Sequence, residues 1–98
     1  MAQYDLHLAR GGGYYVDVQS DLVGRLETTI VAPLMPRADA PVAGERLNPV
    51  LAIDGVDHVL VTQFIAAVPR AALGRPHGTV AHRADEITRA LDTLLTGW

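Results

Sequence analysis

Four histidines, His7, His58, His77 and His82, are the residues of this chain best suited to acid–base or metal chemistry. None stands four residues from another or in a metal-ligand spacing, and there is no cysteine to complete a zinc site. No metal and no cofactor are expected. Gly11-Gly12-Gly13 lacks the Lys and following helix of a phosphate-binding loop and the spacing of a dinucleotide-binding turn. Ser20 has no strand–elbow–helix context to activate it as a nucleophile. Ribonuclease chemistry needs a His, Glu or Asp beside an Arg that stabilises developing phosphorane charge. Arg25 with Glu27, or His82 with Arg83 and Asp85, would be the candidates, and solvated surface charge accounts for both more simply.

The formal net charge is −3, which argues against generic affinity for nucleic acid, since that rests on an excess of cations displacing counterions. All eight basic residues are Arg. Planar bidentate recognition would use them, but the accompanying abundance of Ala, Gly, Val and Leu points to a GC-rich coding sequence instead. Ninety-eight residues suit one domain, spanning 1–98, in which folding buries roughly 65% of the unfolded chain's surface. With no disulfide available, that core must suffice or a second subunit must help. The sequence has neither a membrane-length apolar run nor a secretory leader, so a cytoplasmic location is expected.

The elements that would position these side chains are mostly strands. Tyr4–Leu8 alternates apolar and polar residues, the Gly11–Gly13 run turns the chain, and Tyr14–Val18 resumes the alternation, which predicts a hairpin over 4–20. Leu22 and Val23 form an isolated apolar pair among turn residues, either anchored inward or offered to a partner, with burial the ordinary outcome. Thr28–Leu34 predicts a strand in which Pro33 marks an edge, a bulge or the end of a ladder. Pro36–Arg46 predicts an extended excursion. Asn48–Ile53 and Val56–Phe64 flank an Asp54-Gly55 hairpin turn. From His82 onward Ala84, Ile87, Leu91, Leu94 and Trp98 recur at helical spacing, with Thr79 placed to start the turn and Gly97 to close the helix. These elements predict a small antiparallel barrel or bent sheet of about five to seven strands finished by one helix.

The run Tyr15-Val16-Asp17-Val18-Gln19-Ser20-Asp21-Leu22 resembles the CcdB family of toxins. So do, in order, Pro33-Leu34, Leu47-Asn48-Pro49-Val50, Ile53, Thr62, Val68-Pro69, Leu73-Gly74 and Ile87, Leu91, Leu94-Leu95-Thr96-Gly97. The resemblance implies an SH3-like antiparallel β-barrel with a small extra sheet and one C-terminal helix, assembled as a homodimer. It implies a non-enzymatic toxin of a toxin–antitoxin module, serving plasmid maintenance or a chromosomal module. Such a toxin binds the A subunit of DNA gyrase, traps the cleaved-DNA state and is neutralised by a CcdA-like antitoxin. Carried over residue by residue, the gyrase contacts fall on Leu22, Val23, Asp92, Leu95, Thr96, Gly97 and Trp98. The family's stacking Trp corresponds to Thr96, while the Trp of this chain stands two positions later. Arg10, Gly11, Gly12 and Gly13, with Arg37, Ala38 and Asp39, are the candidate antitoxin contacts. The same fold also includes toxins that cleave messenger RNA, so an endoribonuclease is the alternative, and a decayed, non-toxic binding barrel a third.

Overall fold

The computed structural model describes residues 2–97. Seven strands, β1 (Asp5–Leu8), β2 (Tyr14–Asp17), β3 (Thr28–Pro36), β4 (Val50–Ile53), β5 (Val56–Leu60), β6 (Ala66–Pro69) and β7 (Gly78–Thr79), precede one helix, α1 (Ala84–Thr96). Every pairing is antiparallel, in the order β4-β5-β3-β2-β1-β7, and β6 also pairs with β3. The result is a mostly β, curled half-barrel with a C-terminal helix. The smaller sheet is not detached: β6 joins the main sheet through the first half of β3.

Long β3 is the axis of this arrangement. One edge carries β2, from Tyr14 opposite Leu34 to Asp17 opposite Val31. The other carries β6 along residues 28–31 and β5 along 34–36. Pro33 falls in the gap between those two partners, where its carbonyl accepts from the Val61 amide at 2.9 Å. A strand residue's nitrogen faces the same edge as its oxygen, so the missing N–H lies where no ladder bond is required. Val61 then turns into a 3-10 turn at Thr62–Phe64, which ends β5 at Leu60 and shortens the strand expected to reach residue 64.

Alternation along the strands builds the core. Leu6, Val16 and Ala32 form one row across the concave face, and Tyr14, Leu34 and Leu60 the next. Val18, Leu51, Ile53 and Val80 complete the cluster, and Ile87 and Ala90 of α1 close over it, with Leu91 packed alongside. The helix begins two residues later than expected, because a 3-10 turn occupies Ala81–Arg83 and is started by the Thr79 hydroxyl accepting from the Ala81 amide at 3.1 Å. Its buried stripe runs through Ile87 and Ala90, Ala84 and Leu94 being half-buried. Gly97 ends it in the left-handed region at φ 81°. Trp98, in line with the stripe by spacing and expected as a gyrase contact, lies outside the described residues.

Two turns depend on unusual backbone. Asp54 and Gly55, at φ 52° and 80°, make the tight turn between β4 and β5 that the sequence predicts. Gly13, at φ 74°, sits so close to β3 that a Cβ would lie 2.3 Å from the Leu34 carbonyl oxygen. Clash and left-handed strain act together there, so Gly13→Ala is expected to destabilise the fold by about 2 kcal/mol or more, read as a shift in chemical unfolding.

Candidate functional site

The segment from β2 to β3 is built by the polar residues of the VDVQSD run. Asp17, 2% exposed, accepts from the Thr29 hydroxyl at 2.8 Å and the Gln19 amide at 3.2 Å, and it faces Arg70 at 3.7 Å. Gln19 reaches across the loop, its side-chain amide donating to the carbonyls of Val23 and Thr28 at 3.3 and 3.2 Å. The Ser20 hydroxyl caps the 3-10 turn Asp21–Val23 by accepting from the Leu22 amide at 3.1 Å. Asp21 accepts from the Gln3 amide at 2.8 Å, and Arg70 donates from Nε to the Leu26 carbonyl at 2.8 Å. Loops are ordinarily mobile for want of such partners; this one is tied to the segment before β1, to β3 and to the segment after β6.

All that bracing holds apolar side chains away from the core. Leu22 is 96% exposed and Val23 43%, so burial, the ordinary outcome for such a pair, does not occur. Leu26 beside them is 52% exposed. The Gln3–Asp21 bond and a contact of 3.2 Å between the Tyr4 and Thr88 hydroxyls attach this loop and the middle of α1 to neighbouring residues of the N-terminal segment. From Thr88 the helix continues to its last turn, where Asp92, Thr96 and Gly97 are exposed and Leu95 is 69% exposed. The Thr96 hydroxyl donates back to the Asp92 carbonyl at 2.7 Å. Leu95 is therefore the apolar side chain that this turn presents.

The residues named for a second surface occupy two places. Arg10–Gly13 is the tip of the β1–β2 hairpin, and its Arg10, Gly11 and Gly12 rim a groove of about 390 Å³ lined by Tyr15, Pro33, Met35, Phe64 and Val68. Arg10, Tyr15 and Val68 also line a neighbouring groove of about 350 Å³ with Leu8 and Leu73. Arg37, Ala38 and Asp39 form a separate exposed 3-10 turn after β3, with Arg37 at 3.5 Å from Asp57.

Neither arginine constellation raised for nucleic-acid cleavage is assembled. Arg25 and Glu27 are both exposed, and no ion pair joins them. Arg83 donates to both carboxylate oxygens of Glu86 at 2.6 Å and to the Val50 carbonyl at 3.1 Å. The Glu86 carboxyl is held below the usual carboxylate range by hydrogen bonding to Arg83, against the opposing effect of burial. Two histidines do meet, unforeseen from their spacing: Tyr14 lies between His58 and His77, ring centres 5.3 and 5.2 Å away, and His77 Nε2 is 3.0 Å from Asp54. His7 is buried, with Nδ1 at 2.9 Å from the Gly74 carbonyl, and His82 is exposed. Among the described residues no group of His, Asp and Glu is placed to hold a metal, and no helix is long and apolar enough to cross a membrane.

Among solved structures, the fold is similar to an endoribonuclease in complex with its cognate antitoxin from a mycobacterial species. That TM-score is 0.76 at 12% identity, covering 100% of this chain and 98% of the other. It is also similar to the Mycobacterium tuberculosis toxin MazF-mt6, with a TM-score of 0.69 at 16% identity over 91% of each chain. At such identities the likeness is one of fold. Among curated protein sequences none matches significantly. The sequence profile of the CcdB protein family, however, matches residues 3–97, and the chain belongs to the CcdB family.

Proposed function

We propose that this CcdB-family protein is the toxin of a toxin–antitoxin module and acts by gripping the A subunit of DNA gyrase, trapping the gyrase–DNA cleavage complex. The observation that carries this reading is the exposure of Leu22 on a loop braced by the side chains of Asp17, Gln19, Ser20 and Asp21. An apolar side chain on a braced projection suits a protein partner, because little conformational entropy remains to be lost on docking. Val23 beside it and Asp92, Leu95, Thr96, Gly97 and Trp98 at the helix end complete the proposed contact. Thr96 brings no ring where the family's stacking Trp stands. Cation–π stacking on a partner arginine, about 0.5–2 kcal/mol, must come from Trp98 or be absent.

The protein acts as a homodimer in this reading, and a CcdA-like antitoxin neutralises it. The antitoxin lies against Arg10–Gly13 and the adjoining apolar groove, with Arg37–Asp39 as its second contact. A partner with no packed core of its own suits such a groove, since an extended segment can insert alternate side chains into it.

The test is direct. Purified protein is added to gyrase with supercoiled DNA and, separately, to structured and unstructured RNA. Accumulation of cleaved DNA covalently held by gyrase, with RNA left intact, is the expected result. RNA cleavage without an effect on gyrase overturns it in favour of an endoribonuclease, the activity named for one structural neighbour. Absence of both, with no growth arrest on induction, indicates a barrel without toxicity.

A further inference from the structure

The sheet is open, and its two outermost strands, β4 and β7, face each other without a ladder between them. Asp54 directly follows β4 and His77 directly precedes β7. Their side chains meet at 3.0 Å. At the other end of the same seam Arg83, four residues beyond β7, donates to the carbonyl of Val50, the first residue of β4. The end of β4 is thus tied to the start of the β7 segment, and its start to the segment that follows. The two edges run antiparallel across a seam fastened by side chains at both ends.

The geometry points to the His77–Asp54 pair as a clasp whose release opens this seam. β7 is only two residues long, and it covers β1 at Asp5 and Leu6 alone. Two-residue pairings contribute little stability by themselves. The segment is also held by the His77 amide, which donates to the Leu6 carbonyl at 2.7 Å, by the Val80 amide and the Thr79 hydroxyl, which donate to the Tyr4 carbonyl at 2.9 and 3.3 Å, and by the Val80 side chain, which is buried in the core. The left-handed turn at Asp54 and Gly55 aims the carboxylate, and the Tyr14 ring backs the imidazole. Opening the clasp would expose the outer edge of β1, an unpaired row of amides and carbonyls that another strand can pair with.

The groups facing the clasp are Asp54 from the β4–β5 turn, Tyr14 from β2 and His58 from β5. The hydrogen bond from His77 is the largest influence on Asp54 and holds its carboxyl below the usual carboxylate range; burial opposes it, while His77 charge, Tyr14 and His58 reinforce it. A carboxyl depressed in the folded state contributes stability that is present above its unfolded pKa and is lost as pH falls through the folded value. The clasp therefore holds at neutral pH and releases in acid.

Amide hydrogen exchange on the intact protein tests this. Asp54→Asn keeps the left-handed turn, which Asn tolerates, and removes the charge. The pair is partly exposed, 38% at His77 and 72% at Asp54, so the expected result at about pH 6 is roughly a threefold loss of protection at the amides of His77 and Val80, with the Val18 amide, which donates to the Ile30 carbonyl inside the sheet, unchanged. His77→Gln leaves a side-chain donor in place and is expected to retain most of the protection. In the unaltered protein the same two amides lose protection as the pH is taken below the ordinary carboxylate range, and in Asp54→Asn that dependence is flattened. Unchanged protection at His77 and Val80 in Asp54→Asn, or an equal loss across the whole sheet, would overturn the clasp.

Discussion

A protein carrying Leu22→Asp and Val23→Asp together is expected to lose growth arrest on induction and to trap gyrase roughly a hundredfold less well, with its unfolding midpoint scarcely moved. The separation of the two readouts follows from exposure. Leu22 is 96% and Val23 43% exposed, neither belongs to the core cluster, and substitutions at such surface positions ordinarily change stability by about 0.5 kcal/mol or less. At the centre of an interface an apolar anchor contributes about 1–2 kcal/mol or more, so losing two corresponds to roughly two orders of magnitude in affinity. A buried carboxylate facing a desolvated partner adds its own cost. The loop itself survives, because its backbone bonds come from Gln19, Ser20, Asp21 and Arg70, none of which is changed. If the double variant still arrests growth and still traps gyrase, the loop is not the contact, and the helix end must be tested alone.

The same loop shows where sequence reasoning reaches and where it stops. Strand periodicity and the Asp54-Gly55 turn place β1 to β5 within a few residues, because alternation and positive φ are local properties written in residue type. Pro33 illustrates a partial success. Its missing donor predicts an interruption in a ladder, but only the structure shows that the interruption separates two partners on one edge of the most central strand. Leu22 and Val23 look like a pair to be buried; their exposure follows from bonds within the loop, made by Asp17, Gln19 and Ser20, together with the Gln3–Asp21 and Arg70–Leu26 bonds, and these last two join residues that no short window of sequence contains. The histidines fail for the same reason. His58 and His77 converge on Tyr14 through the curl of the sheet, and a search for ligands four residues apart is blind to that. The exposed Leu26 and Phe64 had no local signal at all.

Asp17→Ala is expected to lower stability by about 3 kcal/mol, and to reduce toxicity through the fraction folded and through the loop together. Asp17 is nearly inaccessible and has three partners: the Thr29 hydroxyl, the Gln19 amide and the Arg70 guanidinium. Removing it leaves the buried Thr29 hydroxyl without an acceptor and Arg70, which is mostly buried, with only the Leu26 carbonyl to receive its charge. Each loss costs more than the bond itself contributed, since the abandoned group stays out of water. The consequence reaches the proposed contact surface because Gln19 and Arg70 are the residues that hold Val23, Leu26 and Thr28 in place. Chemical denaturation measures the first effect, and proteolysis within residues 19–27 under native conditions measures the second. Asp17→Asn separates them: it retains a carbonyl acceptor for Thr29, so the loss of stability is smaller, while the attraction to Arg70 is gone. A variant as stable as the parent, with the loop equally protected, would mean that the VDVQSD residues are not what holds Leu22 out.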